Sequence, residues 1–155
     1  MRRSSLFLPF LLGLSMTTHA ASPADTAETL VERAKEHRIA AWLSAAQLDR
    51  NPYLWAGQRV ALVVRLQRMI DPRNALVQQP GQKDGPAIVL GDVTPETFRR
   101  ETVVVIAKVD NERVPLRGSE QPYSSAAFIT ALPCNADACD DLLASDIPWG
   151  KPLQP

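Results

Sequence analysis

Histidine and cysteine are scarce in this 155-residue chain, with two of each. One histidine, His19, falls in the leader described below, which leaves His37 alone between Glu36 and Arg38. A hydrolase triad needs a base beside a nucleophile and an orienting acid, and nothing here nominates a serine for it. Two sulfurs without a companion histidine do not complete a tetrahedral zinc shell. No glycine-rich phosphate cradle, histidine-pair zinc helix or calcium-loop spacing occurs. Net charge is lacking too: 17 Lys and Arg balance 17 Asp and Glu, so no global field draws the chain to nucleic acid or anionic lipid. The expectation is a protein without catalytic residues, metal or cofactor, and not an enzyme.

What is present begins with an address. Arg2 and Arg3 precede the apolar run 6–14, and Thr18-His19-Ala20 supplies small residues at a cleavage point. A basic start, a short apolar core and an alanine end make a secretory signal, too short and wrongly flanked to span a membrane. Residues 1–20 are expected to be a signal peptide cut after Ala20, leaving a slightly acidic periplasmic or secreted protein. The general secretory route fits better than the twin-arginine route, and no cysteine follows the run for a lipid anchor.

Cys134 and Cys139 both remain after cleavage in an oxidising compartment and are expected to form one local disulfide. Redox chemistry would want tighter spacing and an electropositive setting, whereas Asp137, Asp140 and Asp141 surround this pair with negative charge. The bridge would clasp the C-terminal segment 133–155, read as an extended, proline-rich tail. Trp149 beside Pro148 either docks on the domain or stands out as an anchor for a partner.

Residues 21–50 read as an N-terminal helical segment. Ser22-Pro23-Ala24-Asp25 has the hydroxyl, proline and carboxylate of a helix start, and apolar residues recur at Leu30, Val31, Ala34, Ala41, Trp42, Ala45 and Leu48. One helix with a polar patch, or two helices, fits this stripe until Asn51-Pro52 ends it. From Gln58 the period falls to two, predicting a half-buried strand with Val60, Leu62 and Val64 on one face and Arg59, Ala61, Val63 and Arg65 on the other. Turn chemistry at Asp71-Pro72-Arg73-Asn74 leads to a strand at 75–78. A loop over 80–86 leads to a third at 87–90. Thr94-Pro95-Glu96 repeats the cap-then-proline signature of a short helix. The branched run 102–109 is a fourth strand, 113–117 a short extra pairing, and 124–132 the last strand.

Three strands, a short helix and two more strands is the order of the OB fold, a small, partly open barrel. The run Asn51-Pro52-Tyr53-Leu54-Trp55-Ala56-Gly57-Gln58-Arg59-Val60 resembles the opening of exported bacterial OB-fold proteins of the tRNA-anticodon-like kind. There an aromatic-x-x-Gly-Lys run precedes the first strand; Gln58 replaces the lysine here. Ala107 likewise replaces a glycine common late in the fourth strand of that family. Over about 51–132 the chain is also similar to periplasmic bacterial OB-fold stress proteins. Either resemblance implies a mainly β fold, a five-stranded OB-fold-like barrel preceded by an N-terminal helix, and a binding or interaction module. The alternative is a cystatin-like α+β domain, its sheet wrapped on the first helix. A helix over 94–100 favours the barrel; a plain loop favours the curved sheet.

Candidate site residues follow from charge and placement. Arg59, Arg65 and Arg68 could form a basic surface on the first strand, with Trp55 as a neighbouring anchor and the loop 110–123 as a wall, for an envelope protein or a small anionic ligand. The reading preferred for Tyr53, Trp55 and Phe98 as large rings beside glycine-marked turns is that they plug the barrel ends. Single-stranded nucleic acid is an alternative partner, although an OB face for it wants aromatics on the middle strands, which have none. A metal-dependent nuclease is the remaining alternative, and Asp92 and Glu96 near Arg99 and Arg100 are the only residues that could be assembled for it.

Overall fold

A computed structural model of the chain describes residues 26–154. The signal peptide expected over 1–20 and the Ser22-Pro23 helix start lie outside the described residues. Helix α1 (Ala27–Glu36) is capped by Thr26, whose hydroxyl accepts the Thr29 amide at 3.2 Å. It turns Leu30 and Ala34 inward and stops at His37, after which Arg38 takes a left-handed conformation, φ 54°.

That reversal overturns the expected helical stripe through Ala41 and Trp42. Ala41–Leu43 is a strand, β1, with all three side chains buried, and it runs parallel to β2 (Arg59–Asp71) with Ala41 opposite Val60. A strand buried on both faces carries no alternation, so its apolar residues merged with the helical spacing on either side. Ser44 then opens α2 (Ala45–Arg50) with a complete capping box: its hydroxyl accepts from Gln47 N, and Gln47 Oε1 accepts from Ser44 N at 2.9 Å.

The remaining strands are β3 (Asn74–Gln78), β4 (Ala87–Gly91), β5 (Thr102–Val109) and β6 (Ser125–Pro133), close to the ranges predicted from period and turn chemistry. Together the six form one mixed sheet in the order β1-β2-β3-β4-β6-β5, with β2 also paired to β5. β2 is long enough to serve two neighbours. Its residues 59–65 pair antiparallel with β5, and 65–71 pair antiparallel with β3 across register shifts after Leu66 and Met69. β4 and β6 are parallel, and β5 and β6 antiparallel. Residues Pro95–Phe98 form one turn of 3-10 helix between β4 and β5. The pairing expected over 113–117 shrinks to one bridge, Val114 to Tyr123, because Pro115 cannot donate to a ladder.

Two cores result. The inner one takes Val60, Leu62 and Val64 from β2, Val105 from β5, Leu90 from β4 and Leu48 from α2. The outer one lies across β2 and β5, where Ala61, Val63, Val104 and Ile106 meet Leu30 of α1 and Leu142 of α3 (Ala136–Leu143). β2 is therefore buried on both faces over 60–64 and not half-buried as its alternation predicted. The C-terminal segment is the second correction: instead of an extended tail it forms α3, capped by Asn135, whose Oδ1 accepts the Ala138 amide at 2.7 Å. The predicted bridge joins Cys134, at the end of β6, to Cys139 in α3, with Cα atoms 5.8 Å apart. Trp149 docks on the domain, its ring edge-on to Trp42 at 5.9 Å. Among the described residues no helix is long and apolar enough to cross a membrane.

Candidate functional site

Alternation puts Arg59 and Arg65 on the outer face of β2, and the register shift between Leu66 and Arg68 turns Arg68 outward as well, but the fold does not gather them. Six residues at about 3.3 Å each separate Arg59 from Arg65, roughly 20 Å, and the outer core covers Ala61 and Val63 between them. Arg59 stands opposite Lys108 on β5 and donates from Nη1 to the His37 carbonyl at 3.4 Å. Arg65 faces Gln78, which is buried at 2 % exposure. With the Gln78 amide oriented to match its neighbours, its oxygen accepts from Arg65 Nε at 3.1 Å and Nη2 at 2.8 Å. Glu101 lies 4.0 Å from Arg65 Nη1. Arg65 thus satisfies a buried amide, while Arg68, past the register shift, is exposed opposite Leu76. Trp55, expected as an anchor, is 3 % exposed and belongs to the inner core. The exposed apolar side chains beside it are Tyr53 and Leu54.

Residues 110–123, expected as a wall beside those arginines, form a loop held by hydrogen bonds. Val114 N donates to Tyr123 O at 2.7 Å, and Tyr123 N to Val114 O at 2.8 Å. Ser125 donates to Asp110 Oδ2 at 2.7 Å. Arg113 reaches back to the end of α2, donating from Nη2 to the Asp49 carbonyl at 2.8 Å and from Nη1 to Asp49 Oδ1 at 3.3 Å. The same Oδ1 accepts from the fully buried Ser124 hydroxyl at 3.3 Å. Asp49 was legible only as part of a helix end. Its partner lies 64 residues away, a distance that local pattern does not bridge.

Between this wall and the β3–β4 loop opens a cleft of about 720 Å³, lined among others by Asp49, Gln67, Lys83, Arg113, Gln121 and Tyr123. The carboxylate of Asp49 answers the charge of Arg113, and Lys83 and Asp84, neighbours in the lining, form no ion pair among the described residues. Two amides and a phenol edge complete a lining rich in hydrogen-bonding groups. Such a surface suits a polar ligand and offers little to an apolar one. Lys83 and Gln121 escaped the sequence reading because solvated loop residues carry no periodic signal, and Gln67 because its place in the alternation of β2 says nothing of the loops it faces.

The residues assembled for a nuclease lie on the connection between β4 and β5. Asp92, in a left-handed conformation with φ 59°, pairs with Arg73 at 3.0 Å. Glu96 is held below the usual carboxylate range by its own backbone N–H, by the Thr94 hydroxyl and by the charge of Arg99, which is what a carboxylate at a helical start does. Asp71 is likewise lowered, by the Arg73 amide and the Asn74 side chain in the β2–β3 turn. No group of three or more His, Cys, Asp or Glu that could hold a metal ion occurs among the described residues. Comparison with protein-family models, curated proteins and solved structures finds no match to the chain.

Proposed function

We propose that the chain is an exported, non-enzymatic OB-type barrel that binds an anionic or polar group of an envelope component in the cleft between the β3–β4 and β5–β6 loops. The observation carrying this reading is the circuit of pairings, β2 to β3 to β4 to β6 to β5 and back to β2, with β4 and β6 parallel. That circuit, with a helical turn at 95–98 between the third and fourth of its strands, is the arrangement an OB barrel requires and a sheet draped on one helix does not. The disulfide supports export, since such a bond persists where thiols are not kept reduced. Function rests here on the site and not on the fold alone: Lys83, in a lining it shares with Asp84, is the cation offered to a negative group, with Gln67, Gln121 and Tyr123 to orient a polar one.

A photo-crosslinking residue placed at Tyr123 tests this in intact cells. It is expected to capture one discrete envelope component, and Lys83→Ala is expected to lower the yield several-fold. Crosslinks unaffected by Lys83→Ala, or captured only by the same probe at Arg59, would remove the cleft as the binding site.

A further inference from the structure

The end of the sheet where α1 stops carries cations that no carboxylate of the described residues answers. Arg59 of β2 and Lys108 of β5 are register partners. Arg59 O accepts from Ala40 N at 2.7 Å, on the side away from β5, and Val109 N donates to Gln58 O at 3.0 Å. The two residues therefore form a non-hydrogen-bonded pair, the kind that holds facing side chains closest. Each lies two positions from a residue of the outer core, Arg59 from Ala61 and Lys108 from Ile106, and both are exposed on that face. Arg59 Nη1 donates to the His37 carbonyl at 3.4 Å, and the residue after that carbonyl is Arg38, also exposed.

Each of these cations is placed at a cost. Like charges directly opposite one another across a ladder repel. Arg38 stands in the left-handed conformation, φ 54°, at a helix end where glycine fits without penalty. Nothing in the surroundings offsets these costs in full. None of the three enters an ion pair among the described residues. Glu36 pairs with none of them, Glu32 is taken by Lys35 at 2.7 Å, and Asp110, two positions beyond Lys108, accepts from Ser125. The C-terminal end of α1 contributes about half a negative charge, which three cations exceed.

We propose that Arg38, Arg59 and Lys108 form a binding site for a phosphate monoester group, separate from the cleft. Charge sets the class. A carboxylate brings a single negative charge, whereas a phosphate monoester brings about 1.5 to 2 at neutral pH, and its oxygens accept from an arginine fork two at a time. Free phosphate and the headgroup of a phosphatidic-acid-type lipid present this same chemistry.

Two arms test the site and separate these sources. Inorganic phosphate is titrated calorimetrically against the full mature chain at fixed ionic strength, and the chain is sedimented with phosphatidylcholine vesicles with and without phosphatidic acid. Saturable binding is expected in at least one arm, and the arm assigns the source. Arg59→Gln and Lys108→Gln are each expected to weaken it about tenfold. Lys108→Gln and Arg38→Gly each remove a cost of the empty site, so both are expected to fold with urea midpoints, without phosphate, equal to or above the parent's. Binding in neither arm overturns the proposal. So does binding that Lys83→Ala abolishes and Arg59→Gln leaves intact, which would assign the anion to the cleft, and so does a lowered midpoint for Lys108→Gln, which would give that lysine a partner within the chain.

Discussion

Asp49 is the residue on which the cleft's geometry turns, and the cost of removing it follows from what each of its contacts loses. In Asp49→Ala the Ser124 hydroxyl, with no solvent exposure, is left without an acceptor, which costs about 1–3 kcal/mol. The ion pair to Arg113 adds at most about 1 kcal/mol, since both side chains remain about one-third exposed and screened, 35 % for Asp49 and 30 % for Arg113. The bond from Arg113 Nη2 to the Asp49 carbonyl is main-chain on that side and survives the change. The sum is about 2 kcal/mol, a midpoint shift near 1 M in urea for a slope of about 2 kcal/mol/M. Asp49→Asn keeps an oxygen for Ser124 and gives up only charge, so it should cost about 0.5–1 kcal/mol. Amide exchange over 111–123 should quicken in the alanine variant much more than in the asparagine one. Equal losses for the two variants, or an alanine variant within about 0.5 kcal/mol of the parent, would refute the assignment of Ser124 as the dominant loss.

Two further outcomes test the outer layer. Arg65→Met keeps the aliphatic stem over the sheet but strips Gln78 of both donors; a loss of about 1–3 kcal/mol is expected, and adding Gln78→Leu should restore most of it because both partners are then apolar. A double variant as unstable as the sum of its parts in urea unfolding would disprove the coupling. Replacing Cys134 and Cys139 by serine opens a very short loop, so about 2 kcal/mol should be lost, and reduction of the parent protein should reproduce the shift. Unchanged unfolding midpoints would mean that the bridge does not constrain α3.

Strand positions were legible because each strand announces itself locally. β5 is a run of branched apolar residues from Thr102 to Val109, and β2 and β3 meet at an Asp-Pro-Arg-Asn turn whose aspartate accepts the Arg73 amide as its chemistry predicts. β1 was hidden because three residues buried on both faces show no alternation, and Ala41 and Trp42 happen to continue the helical spacing of Leu30 and Ala34. α3 had a signal that acidic composition obscured: Asn135 as cap, Asp137 in the first turn, and Ala138 and Leu142 one turn apart on the buried side. The pairs that shape the cleft, Asp49 with Arg113 and Ser124, depend on chain segments meeting in space, and single-sequence periodicity contains no term for that. Trp55 was misplaced for a related reason. An aromatic next to a glycine turn fits a core plug as well as an exposed anchor, and only the packing of Leu48 and Val60 around it decides.

The outer face of β2 explains why the flanking segments are needed. Ala61 and Val63, with Val104 and Ile106 across the ladder, present an apolar strip that solvent would otherwise meet, and an exposed strip of that kind invites association. α1 covers it from the N-terminal side with Leu30 and Ala34, α3 from the C-terminal side with Ala138 and Leu142, and the disulfide fixes α3 where β6 ends. The same cover is what divides the arginines, leaving Arg59 beside His37 at one end and Arg65 with Gln78 at the other. A basic surface along β2 would require that strip to be bare. With that strip covered, the groups proposed for polar recognition in the cleft are Gln67, beyond the covered part of β2, and Lys83 and Arg113 from the loops.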